Sequence, residues 1–240
     1  LGEPTPYYEE WPSRSSYFGI VDLVGLPKNR YYLYQSKWSD KNVLHLLPHW
    51  NWEGKEEQII PVHCFTNFKK AELFLNGKSM GVREKDPSDL YTTYRLIWDV
   101  PYKPGELKVV GLNSDNEALK EVTIRTARAP AKINLLTNKY CISHSEKELI
   151  FVTASVVDEN GVLCPKANNK ITFNVEGAGQ FKAAGNGDPT CLERFVESER
   201  SAFNGKCIGI FKSISSNSEI IISAHSEGLE NAEVKVIVID

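Results

Sequence analysis

The pair Asn76-Gly77 lies between two runs of strand-forming residues, Ala71–Leu75 and Ser79–Val82. Both central residues of a type I′ turn need positive φ, which Asn and Gly supply at little steric cost, so the pair predicts a tight hairpin. A hairpin commits the chain to antiparallel pairing, and a lone hairpin cannot bury its own apolar face. More strands must therefore flank it, and the sequence offers them. Val43–Leu47, Ile59–Thr66, Tyr91–Val100, Leu107–Leu112 and Leu119–Thr126 are short, apolar and rich in β-branched residues, with further turns at Pro104-Gly105 and Asp115-Asn116. Seven such runs in about 90 residues predict an immunoglobulin-like β-sandwich over residues 39–128. Trp98, in an alternating run, is expected in its core.

Arg128-Ala129-Pro130 marks a boundary, and a second all-β pattern follows. Lys132–Leu136, Ile150–Asp158, Ile171–Glu176, Gln180–Ala184, Gly205–Ser213, Glu219–Ser223 and Ala232–Ile239 read as strands, with a turn at Glu159-Asn160-Gly161. They predict a second sandwich over 129–240. Gly185-Asn186-Gly187-Asp188-Pro189 must be a loop, since no strand interior tolerates it.

The first 38 residues differ. Leu1–Ser16 is rich in Pro, Tyr and Glu and reads as an extended loop. Tyr17–Leu23 reads as a buried strand broken by Gly25. Pro27 suits a helix start, and Asn29–Trp38 places Tyr31, Tyr34, Gln35 and Trp38 on one helical face, which we assign to packing. A lone βα unit cannot cover its own faces, so residues 1–38 are expected to be the end of an α/β domain whose bulk lies upstream. The start at Leu1 rather than Met fits a piece of a longer polypeptide.

Composition excludes several classes. The 31 acidic and 28 basic residues are intermixed and give a net charge of −3, so there is no basic stripe for nucleic acid. No apolar run approaches the ~18 residues of a membrane-spanning helix. Five cysteines, an odd count without CxxC spacing, argue against zinc and against a disulfide framework. They read as small buried residues, with one bridge, Cys164–Cys207, left open. No cofactor is expected, because no Rossmann, P-loop or GxSxG pattern occurs. Gly185–Asp188 with Glu193 could offer oxygens to calcium, but the EF-hand pattern is missing and a glycine-rich sandwich loop is the plainer reading. Glu9 and Glu10 are adjacent in a loop and point apart, unlike the paired carboxyl groups of a glycosidase. Asp22 closes the expected strand Tyr17–Leu23 and could support a site at that end.

Aromatic residues are unevenly spread. Residues 1–52 hold four of the five Trp and six of the ten Tyr. His49-Trp50-Asn51-Trp52 follows a Pro at the end of an expected strand. Two readings stand: a ligand edge, with indoles stacking on pyranose faces while His and Asn orient hydroxyls, or an aromatic wedge between domains.

The run GEPTPYYEEWPSRSSYFGIVDLVGLPKNRYYLYQSKW resembles the end of the TIM-barrel domain of glycoside hydrolase family 2 β-galactosidases of Bacteroides type. HLLPHWNWEGKE and VHCFTNFKKAELFLNGKSMG resemble the sandwich that follows that barrel, and GNGDPTCLERFVESERSAFNGKC resembles the immunoglobulin-like domain that closes such enzymes. The resemblance implies a mainly β chain: a barrel remnant (1–38) and two sandwiches (39–128 and 129–240). It implies a retaining glycosidase whose acid/base and nucleophile glutamates lie upstream of Leu1, so no catalytic residue is carried over. It points to Glu3 and Tyr7, in a loop leaving the barrel near the active-site mouth, and to His49, Trp50, Asn51 and Trp52 as substrate-binding candidates. The implied partners are an upstream TIM-barrel domain of the same polypeptide and a carbohydrate substrate, with room for a homo-oligomer. The implied location is periplasmic or secreted. The rival readings are a free-standing carbohydrate-binding module and a structural immunoglobulin-like stalk.

Overall fold

A computed structural model describes residues 18–240. The chain falls into two compact units, one of residues 27–126 and one that joins the described residues 18–26 to residues 127–240. Both are mainly β.

In the unit 27–126, helix α1 (Asn29–Trp38) precedes seven strands: β1 (Leu44–Leu47), β2 (Ile59–Thr66), β3 (Lys70–Leu75), β4 (Lys78–Glu84), β5 (Arg95–Pro101), β6 (Glu106–Leu112) and β7 (Ala118–Arg125). One sheet runs β1-β2-β5 and the other β4-β3-β6-β7, with every pair antiparallel. Alternation along each strand sorts its side chains. Leu44, Leu46, Val62, Cys64, Trp98 and Val100 of one sheet form a single core with Ala71, Leu73, Leu107 and Val109 of the other. The Trp98 ring is buried and its indole N–H donates to Gly81 O at 2.8 Å.

The hairpin forms where the sequence places it, with φ of 49° at Asn76 and 79° at Gly77. Asn76 does more than turn the chain. Its Oδ1 accepts from Glu106 N–H at 2.7 Å and its Nδ2 donates to Pro104 O at 3.1 Å. A Cβ on Gly105 would lie 2.0 Å from Asn76 Oδ1, so only glycine lets the two turns lock together.

Helix α1 has the expected limits but presents a different face. Tyr32 stacks on His45 of β1, with ring centroids 3.9 Å apart, and Asn29 Oδ1 bonds His45 Nε2 at 2.9 Å. Ser36 is the buried residue of the helix, whereas Tyr34 and Trp38 stack on each other and Trp38 is 79% exposed. The packing face is thus Asn29-Tyr32-Ser36, and the assignment of Tyr31, Tyr34 and Trp38 to it does not hold within this unit. The cause is local: a helix with Tyr at 31, 32 and 34 is aromatic on every side, and the stacking partner decides its rotation. Ten residues are marginal for a helix in water, and no side chain caps the N-terminus, because the N-cap position is Lys28, whose ammonium cannot accept from a backbone N–H.

The second unit holds β8 (Lys132–Thr137), β9 (Cys141–Ser143), β10 (Leu149–Val157), β11 (Lys170–Gly177), β12 (Gly179–Gly185), β13 (Glu199–Ser201), β14 (Lys206–Ser213), β15 (Ser218–His225) and β16 (Ala232–Ile239). The sheets run β12-β14-β10-β8 and β13-β11-β15-β16-β9, and only β16 and β9 pair in parallel. Ile150, Val152, Cys207 and Phe211 of one sheet meet Ile171, Phe173, Ile220, Ile222 and Val236 of the other in one core. The turn at Glu159-Asn160-Gly161 is held by Asp158, 1% exposed, whose carboxylate accepts from the N–H groups of Arg128, Asn160 and Val162, each at 2.9 Å. Burial alone would raise its pKa, and the three N–H donors outweigh it, so the carboxyl is held below its usual range.

One expectation is corrected and one open alternative is settled. The strand expected over Tyr17–Leu23 is not formed by its described residues, which are turns and a single bridge. Asp22 is the reason: its Oδ1 accepts from Val24 N–H at 3.0 Å and Leu26 N–H at 2.8 Å, folding the backbone back on itself. All five cysteines are free, and Cys64, Cys164 and Cys207 are buried, so Cys164 and Cys207 form no bridge.

Candidate functional site

The segment 48–58 leaves β1 after Leu47 and enters β2 at Ile59. Its four candidate residues have different fates. Trp50 has no exposed surface: it sits in the core beside Tyr102, edge to face at 5.1 Å, and its indole N–H donates to Lys103 O at 2.9 Å. Its carbonyl accepts from Thr126 Oγ1 at 2.6 Å. This ring is an anchor that no solute reaches, which corrects its assignment to sugar stacking. The other three are at the surface or near it. His49 is exposed, and Asn51 and Trp52 are partly exposed. His49 and Trp52 stack with centroids 4.9 Å apart, Trp52 Nε1 donates to His49 O at 2.9 Å, and Asn51 N–H donates to His49 Nδ1 at 3.2 Å. Lys55 Nζ lies over the Trp52 ring, 5.2 Å from its centroid. Trp50 thus fixes the loop and the His49–Trp52 pair is what it displays. The alternation of buried and displayed indoles had no sequence signal beyond their spacing of two. Glu3 and Tyr7 lie outside the described residues.

A second constellation surrounds Arg200, which the sequence did not single out. The side chain is 1% exposed. Its guanidinium donates to Ala184 O and Arg194 O at 2.8 Å, to Glu193 O at 3.1 Å and to Cys191 Sγ at 3.4 Å, and it lies over the Phe195 ring. Glu193, 3.5 Å from it, accepts from Ser201 Oγ at 2.6 Å and Ser201 N–H at 3.0 Å. Glu193 is thus engaged within the loop, as is Asp188, whose Oδ1 accepts from Thr190 N–H at 2.8 Å and from Thr190 Oγ1 at 2.7 Å. Among the described residues no group of three or more His, Cys, Asp or Glu could hold a metal ion, and no helix is long and apolar enough to cross a membrane.

His45, beneath α1, is pushed down to about 4 by burial. His63, on the same outward face of β2, is lowered by burial and by the neighbouring Arg95. A folded-state pKa below the unfolded value means that the folded protein binds fewer protons. The stabilisation is then complete above about pH 6.5 and is lost as pH falls toward 4. Discounted for partial exposure, His45 should contribute roughly 1–2 kcal/mol over that window. Denaturant midpoints at pH 7 and pH 4.5 should differ less in His45→Phe than in the parent.

Residues 133–235 match the glycoside hydrolase family 2 C-terminal domain 5, and residues 57–119 match a domain of unknown function, DUF4982. The chain is 45% identical over 237 residues to a β-galactosidase of Bacteroides ovatus, covering 98% of this chain and 27% of that protein. The chain is similar to the C-terminal region of glycoside hydrolase family 2 proteins. A β-glucuronidase of Formosa agariphila is 24% identical over 220 residues, covering 90% of this chain and 21% of that protein. A solved β-glycosidase from Bacteroides vulgatus superposes with a TM-score of 0.88 at 34% identity, covering 95% of this chain and 29% of that one. The chain therefore spans about a quarter of the length of these relatives. The Arg200 loop lies inside the family model, and the His49–Trp52 loop precedes the part of the DUF4982 model that matches.

Proposed function

We propose that this chain is the non-catalytic C-terminal portion of a retaining, β-galactosidase-like family 2 enzyme that hydrolyses terminal β-galactosides. In this reading residues 1–38 end the barrel domain, residues 39–128 and 129–240 are immunoglobulin-like sandwiches that buttress it, and the His49–Trp52 loop trims the sugar site. The observation that carries the reading is the displayed His49–Trp52 pair, held on a rigid sandwich by the buried Trp50. An indole fixed by its own N–H bond presents an apolar face at little entropic cost, and Asn51 and His49 offer polar groups beside it. Lys55 would swing off the ring when a sugar binds. The outward Tyr34–Trp38 stack of α1 would face the upstream domain. The 45% identical relative, itself a β-galactosidase, supports the choice of sugar.

The test is kinetic and needs the full polypeptide, with a chromogenic β-galactoside. Trp52→Ala should raise KM by about three- to tenfold with little change in kcat, as expected for loss of roughly 1 kcal/mol of uniform binding. Unchanged constants would remove the loop from the sugar site. This chain alone should hydrolyse nothing.

A further inference from the structure

The outer face of the sheet β12-β14-β10-β8 carries an apolar patch whose composition follows from strand register. Residues paired across antiparallel strands share a face. Leu136, Thr153, Ile208 and Gly185 form one row across all four strands, and Phe151, Ile210 and Ala183 form the next. The rows beside them are Asn134, Ser155 and Lys206 on one side, all polar, and Leu149, Lys212 and Gln180 on the other, polar but for Leu149. An apolar centre inside a polar rim is the anatomy of an interface. The exposures are uneven. Leu136 is 61% exposed and Phe151 39%, whereas Ile208, two residues from Ile210 on the same strand and face, is 6% exposed.

The difference traces to the residues that enter this unit from upstream. A Cβ on Gly185, the cross-strand neighbour of Ile208, would lie 2.7 Å from Val24 Cγ1, and one on Gly187 would lie 2.2 Å from Asp22 Oδ2. The Asp22–Leu26 turn is therefore seated on the corner of the face that holds Ile208. The glycines of the Gly185–Gly187 loop are what let it come so close. The covered corner and the bare rows are one continuous surface.

We propose that the bare remainder of this face, centred on Phe151, Leu136 and Ile210, is the docking surface for the domain of the same polypeptide that precedes residue 18. Three observations choose this occupant. The corner of the face at Gly185 is approached most closely by upstream sequence, Val24, with Phe195 of the neighbouring loop beside it. About three quarters of the length of the relatives lies outside the matched region, so a body large enough to cover the face is available. The central residues carry no charge, as suits a contact that stays closed. The inference rests on the reading of the chain as part of a longer family 2 polypeptide, and not on the sugar-site role of Trp52.

The experiment is hydroxyl-radical footprinting of Phe151 and Leu136 in the full polypeptide and in this chain alone. Labelling should be several-fold lower in the full polypeptide, and Phe151→Glu should restore the labelling of Leu136 there while leaving the melting of this chain unchanged. Equal labelling in both overturns the proposal. So does protection in this chain alone that rises with its concentration and is lost in Phe151→Glu, because the occupant would then be a second copy. Kinetics of Trp52→Ala in the same full polypeptide report separately on the sugar-site reading. Lost protection with a KM effect would sink only the docking surface, and protection without a KM effect only the sugar site.

Discussion

Trp50→Ala should destabilise the unit 27–126 by about 3–5 kcal/mol, the usual cost of removing a large buried aromatic side chain. The indole is fully buried, packs edge to face on Tyr102 and ties Lys103 O to the loop that carries it. Alanine would leave a cavity beside Tyr102 and remove the indole donor from the Lys103 carbonyl. Trp50→Phe should cost less, because it keeps most of the volume and forfeits chiefly the N–H bond, about 1 kcal/mol. Trp52→Ala, at a partly exposed ring, should cost less again. Urea unfolding followed by circular dichroism would rank the three. Because the chain has two compact units, the quantity to compare is the midpoint of the transition that moves. A Trp50→Ala midpoint equal to the parent's would mean that the ring is not the anchor described here. The ranking also bears on kinetics: loss of activity in Trp50→Ala would report a collapsed sandwich, so Trp52 is the position at which sugar binding can be read cleanly.

Arg200→Met should lower the stability of the second unit by about 3 kcal/mol. The guanidinium donates to three backbone carbonyls and faces Glu193 as well. A thioether of similar length fills the space and removes all of these bonds, leaving Arg194 O only the N–H of Glu197. Arg200→Lys should recover only part of the loss, since one ammonium cannot span a planar fork of donors. A drop in melting temperature of roughly 10 °C is expected for Arg200→Met on a unit of this size. Faster amide exchange should be confined to residues 184–201. Wild-type exchange in that loop would contradict the assignment.

Local chemistry made most of the fold legible in the sequence. Asn76-Gly77 is a backbone requirement written into two residues, and β3, which leads into it, alternates strictly because it has one buried face. What stayed hidden depends on partners distant in sequence. Nothing near Asp22 announces that its carboxylate will claim two N–H groups and dissolve an expected strand. The three-residue strands β9 and β13 are too short to carry a period. The orientation of α1 was undetermined because its tyrosines surround the helix, and His45 settles it from sixteen residues away. The candidate site was half legible. The HWNW cluster was visible, but adjacent indoles in a loop give no sign of which is structural, and Trp50 went to the core because Lys103 O lay in reach. Arg200 had no signal, since its partners are backbone oxygens that no side-chain pattern encodes.

The Asp22–Leu26 turn has a consequence for how such a protein can be divided. In sequence, the second sandwich is one uninterrupted stretch after Thr126. As a folded body it also owns a splinter from before Pro27, wedged against Gly185 and Gly187. The hundred residues between are a guest, spliced into a host whose own sequence resumes when the guest ends. A guest of this kind can be exchanged for another with matching ends. The host cannot be lifted out with a single cut, and an excised 127–240 would carry an open notch where Val24 belongs.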